Sequence, residues 1–243
     1  MKVVFFGSSH GVPEPNRSCS CALLEVAGKR YLIDMGMDPV PELIRRGMSP
    51  NDITAVFITH AHGDHTNGLV PFADICSWYF KQADPLIFLP RMEIVDALKS
   101  WSRLTCNGLR ETLRFAKVEE GKLYDDGTIC VTAMRTNHMD HAFAYSIEAE
   151  GKLLLFTGDL KGGDGAITDY ARLATRDGID LVVAECVHFD PLQYLEPLRK
   201  HPPKLFCMNH YSYRSVEKCN QLKRKIEPDI PAILATDGLE IQL

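Results

Sequence analysis

The stretch AVFITHAHGDHTNG, residues 55–68, decides how the rest of the chain is read. Its first four residues are apolar, the pattern of a buried strand. Three histidines and an aspartate then fall within six positions, in a chain of 243 residues with nine histidines in all. Side chains two apart on an extended segment point the same way, so His60 and His62 present their imidazoles to one point. Gly63 permits a tight turn, after which Asp64 and His65 face back toward the same region at the start of a helix. Imidazole nitrogen and carboxylate oxygen both suit zinc. Taken singly, Asp64 reads as a helix N-cap and each histidine as a loop residue bonded to water. Together, directly after an apolar strand, they read as metal ligands. Four such groups exceed what one tetrahedral ion with an open position needs, so the pattern implies two ions and partners from elsewhere in the chain.

Those partners are expected where other strands end. ICVTAMRTNH ends at His138, KLLLFTGD at Asp159, KLFCMNH at His210 and LVVAE at Glu185, with His188 three residues on. RYLID ends at Asp34 and AILATD at Asp237. Each of these alone reads as a turn residue. Their recurrence at one kind of position points to the rim that ligands occupy at the carboxyl ends of strands in α/β sheets.

Short apolar runs alternate with helical patterns along the whole chain. Beyond the strands already quoted, KVVFF, CALLEV, LIFL and FAYSIE read as β. Helices are expected near 39–46, 67–80, 92–103, 165–176, 191–200 and 213–226. No linker divides the chain, which reads as one α/β domain over 1–243. AGKRYLIDMG (27–36) echoes EGKLLLFTGD (150–159), each a turn feeding a strand that ends in an acid. The echo suggests two similar halves, about 1–120 and 121–243, packed sheet to sheet with helices outside: a four-layer αββα sandwich.

A net charge of −5 argues against a broadly basic nucleic-acid surface. No stretch reaches the ~20 apolar residues of a membrane span. The short apolar start, MKVVFFGSSHG, lacks the form of a signal segment, so the expected location is the cytoplasm. Its eight cysteines are then expected to be reduced thiols. Cys19 and Cys21, in RSCSC, read either as soft metal ligands or as packing residues.

These motifs carry a resemblance. The chain resembles the metallo-β-lactamase-fold hydrolases over nearly its full length, on THAHGDH, FTGD (156–159), MNHYS and, more loosely, NHMDHAFAYSIE. The resemblance implies one metal on His60, His62 and His138. It implies a second on Asp64, His65 and His210, with Asp159 bridging. His141 competes with His138, which is preferred for its spacing before the Y-x-I-E strand. The opening GSSHGVPEPNRSCSCALLEVAGKRYLID is similar to the family's phosphodiesterase branch, which includes the tRNA 3′-processing endonuclease. That endonuclease has a Gly-rich arm for tRNA and an H-S-T motif; neither is found here.

The implied function is hydrolysis of a phosphodiester in a small or cyclic nucleotide-like substrate by a water activated between two divalent ions, zinc first, with manganese or iron as alternatives. Asp64 and His188 are the catalytic candidates, His188 as proton donor to the leaving oxygen or else a plain core-edge histidine. Asp34, Glu185 and Asp237 are expected to orient imidazoles. Arg17 and Tyr211 are phosphate contacts by position, and His10 reads first as a plain loop residue and second as a residue of the pocket mouth. Competing readings are hydrolysis of a thioester, lactone or β-lactam, and a metal-binding or sensing protein without turnover. Extended RNA and membranes are not expected as partners; exposed helices leave room for a homodimer, which no segment compels.

Overall fold

The computed structural model describes residues 1–105, 108–162, 164–227 and 229–243. Strands β1 (Lys2–Gly7), β2 (Cys21–Val26) and β3 (Lys29–Ile33) pair antiparallel. Strands β4 (Ala55–Phe57), β5 (Leu86–Leu89) and β6 (Arg114–Lys117) continue from β3 in parallel. The second sheet repeats the scheme. Strands β7 (Gly121–Asp125), β8 (Cys130–Arg135), β9 (Phe143–Ala149) and β10 (Lys152–Phe156) are antiparallel neighbours. Strands β11 (Leu181–Glu185), β12 (Phe206–Asn209) and β13 (Ala232–Leu234) then run parallel to β10. The last strand, β14 (Glu240–Gln242), returns to pair antiparallel with β1.

The two echoing stretches occupy equivalent places. Hairpin β2–β3 turns at Ala27-Gly28 with φ of 47° and 82°, and hairpin β9–β10 at Glu150-Gly151 with φ of 50° and 71°. Two consecutive positive φ values give a turn whose twist matches that of the flanking strands. Each hairpin therefore hands its second strand to a parallel series whose carboxyl ends share one rim.

Apolar inner faces form the central layer. Val3, Phe5 and Phe57 of the first sheet meet Val131, Tyr145 and Phe156 of the second. Phe57 stacks on Phe88 at 5.2 Å between centroids and meets Tyr145 at 5.8 Å. Helices cover the outer faces. Along the first sheet lie α1 (Val40–Arg45), the single turn α2 (Gly63–Thr66), α3 (Leu69–Trp78) and α4 (Glu93–Leu104). Val40, Leu43, Leu69, Phe72, Val95 and Leu98 bury their apolar stripes there. The second sheet carries α5 (Asp164–Leu173), α6 (Leu195–Lys200) and α7 (Val216–Ile226), through Tyr170, Leu198, Leu222 and Ile226. This is the expected αββα sandwich.

One expected element differs, and three strands lie outside the expected set. The helix expected over 191–200 is a 3₁₀ turn, Pro191–Tyr194, followed by α6. Pro197 has no N–H to donate four residues back, so it is accommodated in the first turn of α6 rather than inside one longer helix. Strands β6, β7 and β14 lie at sheet edges, and Ile241 alone among their residues is buried, so they carry little apolar signal.

Asp126, in the β7–β8 turn, ties the sheets together. It accepts from Lys29 Nζ at 2.8 Å and Tyr31 Oη at 2.8 Å on β3, from Tyr124 Oη at 3.2 Å, and from the Thr128 and Ile129 amides at 2.9 and 3.0 Å. Burial alone would raise its pKa, but Lys29 and these donors hold it below the usual carboxylate range. A carboxyl depressed on folding stabilises fully above its unfolded pKa of ~3.9, and that stability is lost as pH falls through the folded value. Asp126→Ala should therefore lower stability at pH 7 by about 2 kcal/mol in urea unfolding. The gap to the wild-type protein should narrow as the pH is taken below 3.9.

Candidate metal centre

The parallel strands deliver polar groups to one rim. His60 follows β4, Asp159 follows β10 and His210 follows β12. Strand β8 runs in the same direction as β10, so His138, beyond its end, reaches the rim as well. Two sets of ligand atoms converge there, each within 4.8 Å of its fellows: His60, His62, His138 and Asp159, and Asp64, His65, His210 and Asp159. Asp159 belongs to both.

The distances are those of lone pairs aimed at a common point. His60 Nε2 lies 3.1 Å from His62 Nδ1, which lies 3.1 Å from His138 Nε2. Asp159 Oδ2 is 3.5 Å from His60 Nε2 and 3.7 Å from His138 Nε2. On the other side, His65 Nε2 is 3.2 Å from His210 Nε2 and 3.3 Å from Asp159 Oδ1. Asp64 Oδ2 is 3.0 Å from His210 Nε2. Nitrogens ~2.0–2.1 Å from a tetrahedral cation are about 3.4 Å apart, close to this spacing.

Three of the five rings are held by their far nitrogens, while His210 Nδ1 is buried without a hydrogen-bond partner. His65 Nδ1 donates to Asp34 Oδ2 at 2.7 Å. Asp34 Oδ1 accepts from the Thr59 amide at 2.7 Å and its hydroxyl at 3.0 Å. Thr59 Oγ1, 3.1 Å from His60 Nδ1, is then left as acceptor for that ring. His138 Nδ1 faces the Leu160 carbonyl at 3.3 Å. Each contact assigns a proton to Nδ1 and turns Nε2 toward the place of a cation.

Electrostatics divide the rings: burial opposes charge on His65, but Asp159 and Asp34 outweigh it and hold His65 well above the usual imidazole value, so a cation at its Nε2 must displace a proton. Burial, with neighbouring imidazoles, lowers His60 to about 2, so its inner nitrogen is unprotonated at neutral pH. Burial also lowers His138. Burial alone would raise Asp159, yet the surrounding imidazoles, His210 first, hold it well below the carboxylate range. Asp159 Oδ1 is buried and receives no hydrogen bond. A buried anionic oxygen without a donor is costly, and a divalent cation removes the cost. The donor set therefore suits a divalent-metal site.

The backbone is strained where the groups must turn inward. Asp34 and His210 have φ of 60° and 49°, a region that non-glycine residues rarely adopt. Gly158, at φ 56°, stands where a Cβ would lie 2.7 Å from the Phe143 carbonyl oxygen of the neighbouring strand β9 and 3.0 Å from Thr59 Cβ of the facing sheet, so glycine is needed where the chain passes into Asp159.

Other expected residues fall as follows. His141 lines a separate cleft with Arg91, Glu93 and Lys117, away from the convergent set that holds His138. His188 stands over the centre, its ring 4.7 Å from that of His138 and 5.7 Å from that of His210. Its Nδ1 is 3.0 Å from Glu185 Oε1. Burial opposes its charge, but Glu185 outweighs it and raises His188 to about 9. Glu185 thus orients His188, and Asp34 orients His65. Asp237 touches no imidazole; it accepts from Ser8 and Ser18 and anchors the loop after β1. Tyr211 is not free for phosphate, because its hydroxyl donates to the Ala235 carbonyl at 2.8 Å. Arg17 lies against the Tyr211 ring and pairs with Glu14. His10 lines a cleft beside the centre. Cys19 and Cys21 are buried, belong to no ligand group among the described residues, and have thiol pKa values raised by burial. Sequence reasoning missed Thr59, whose signal was its place between strand and motif.

Residues 1–189 match the family described as Anti-Pycsar protein Apyc1. The chain belongs to that family. It is also 30% identical over 154 residues to ribonuclease Z of Rippkaea orientalis, a match covering 63% of this chain and 49% of that protein. The chain spans about half the length of the curated relatives it matches. Among solved structures, the short form of human tRNase Z (ELAC1) aligns with 100% of this chain and 99% of its own, at a TM-score of 0.76 and 22% identity. The Bacillus subtilis protein YhfI, described as of the metallo-β-lactamase fold, aligns over 99% of both chains at 0.78 and 16% identity. The fold is that of the metallo-β-lactamases. No helix among the described residues is long and apolar enough to cross a membrane.

Replacing Asp34 by Asn puts an amide opposite His65 Nδ1 and unsettles the contact that turns Nε2 toward the place of a cation. Asp34→Asn should weaken zinc binding ~10–100-fold in chelator competition, with the folded protein's circular dichroism retained.

Proposed function

We propose that the protein is a metal-dependent phosphodiesterase acting at this rim. The observation that carries the reading is Asp159, whose two oxygens face two separate sets of ligand atoms. His60, His62 and His138 would hold one divalent ion, Asp64, His65 and His210 a second, and Asp159 would serve both. Zinc is the first choice for such nitrogen and oxygen donors. A metal pair, when bound, lowers the pKa of a water so that hydroxide is present at neutral pH, and stabilises charge on the attacked phosphate.

The chain's own residues supply the rest. Asp34 and Thr59 fix His65 and His60 so that their inner nitrogens do not wander. Glu185 accepts from the Leu160, Val187 and His188 amides, so it is rigid when it holds His188 Nδ1. Nε2 is then the nitrogen of His188 available to protonate a leaving alkoxide. The ribonuclease relatives support phosphodiesters over carbonyl esters, and they make RNA worth testing beside small and cyclic nucleotide-like substrates.

Purified protein should contain divalent metal and hydrolyse bis-p-nitrophenyl phosphate, with loss of activity on chelation and return on adding zinc or manganese. Asp64→Ala should cost more than the ~10–100-fold that outer partners of a metal cost. Turnover of thioesters, lactones or β-lactams with phosphodiesters untouched would refute the proposal. His188→Gln should slow esters with alkyl leaving groups by ~10²–10⁴ while barely affecting p-nitrophenyl esters, whose leaving group needs no proton. Equal losses on both would remove His188 from that role.

A further inference from the structure

A cleft of about 770 Å³ opens beside the candidate centre, with walls drawn from both sheets. Small-molecule sites run ~300–1,000 Å³, so the cleft suits a substrate's non-reacting half. Loop 10–15, after β1, forms one lip with Val12; Phe189 and Tyr213, from the loops after β11 and β12, form the other. Val12 and Tyr213 are 61% and 65% exposed, two large apolar groups open to solvent on facing lips. The first loop passes close to the centre: a Cβ on Gly11 would lie 3.6 Å from Asp64 Oδ2.

Glu14 joins the lips. Its Oε1 accepts from the Tyr213 amide at 2.7 Å and lies 3.6 Å from His10 Nε2. Its Oε2 pairs with the Arg17 guanidinium. Glu14 and Arg17 also exchange both backbone hydrogen bonds, at 2.8 and 3.0 Å, which closes the turn between them. Arg17 in turn lies 3.9 Å over the Tyr211 ring, next to His210. The Glu14 side chain is only 14% exposed, so these charge-assisted bonds are shielded from water.

We propose that Glu14 is a positioning residue that fixes the width of this cleft and its register with the metal centre. The inference rests on the phosphodiesterase reading. Without the carboxylate, the Tyr213 amide loses its acceptor and loop 212–215 is no longer tied to loop 10–15. The reacting bond is untouched by that change, and the binding of whatever extends into the cleft is weakened.

Two p-nitrophenyl esters with the same reacting bond separate these effects: methyl p-nitrophenyl phosphate, too small to fill the cleft, and the p-nitrophenyl ester of thymidine 5′-phosphate. Glu14→Ala should lower kcat/KM for the thymidine ester relative to the methyl ester by about tenfold, through KM rather than kcat. Glu14→Gln keeps an acceptor for the Tyr213 amide and should restore most of the ratio. Hydrogen exchange in segment 211–215 should quicken in the Ala variant and stay near wild type in the Gln variant. An unchanged ratio, or a fall in kcat accompanied by metal loss, overturns the proposal. Wild-type protein that hydrolyses neither ester overturns the phosphodiesterase reading instead; exchange at 211–215 then decides whether Glu14 holds the loop.

Discussion

Two hydrogen bonds fasten the sheets to each other within two residues of the histidine motif. The Phe143 amide donates to the Thr59 carbonyl at 2.9 Å, and Tyr145 Oη donates to the Ile58 carbonyl at 2.6 Å. Both lie in the buried interior, where competition from water is absent and the bonds are electrostatically strong. They fix the carboxyl end of β4 against the start of β9, and so fix His60 and His62 against His138. The convergence at the rim needs that register. Ligand atoms from the two sheets meet only if neither sheet slides along the other.

The interior carboxylates follow from the same arrangement. Asp34, Asp159 and Glu185 are all nearly inaccessible to solvent. Burying a charge is expensive unless it is met by donors or by opposite charge. Asp34 meets the Thr59 amide and hydroxyl and the His65 ring. Glu185 meets three amides and the His188 ring. Asp159 alone keeps an oxygen without a hydrogen-bond donor. The two satisfied acids hold rings in place, and the unsatisfied one is the group that both ligand sets share.

Much of this was legible in the sequence, because the signals are local. An apolar run ended by His or Asp announces both a strand and a rim residue, as in AVFITH and LLLFTGD. The preference for His138 over His141 rested on spacing; the fold sets His138 beside His60, His62 and Asp159, and His141 in another cleft. What was not legible depends on distant pairing. Asp237 looks like another ligand orienter until the fold sets it against Ser8 and Ser18, across 229 and 219 residues. Tyr211 looks like a phosphate contact until its hydroxyl is seen bonded to Ala235. Strand β14 has three residues, of which only Ile241 is buried, so no periodicity exists to be read.

That short strand also shapes how the chain reaches its folded state. Strand β1 leaves the ribosome long before β14, its outer neighbour. Until then β1 offers an open row of amides and carbonyls, the kind of edge that recruits other chains. Closing it joins residues some 240 apart, Val4 opposite Glu240 and Lys2 opposite Gln242, so the contact is among the slowest that this topology can make. The nascent domain thus carries that border unsealed until β14 has been made, and sealing it comes late in assembly.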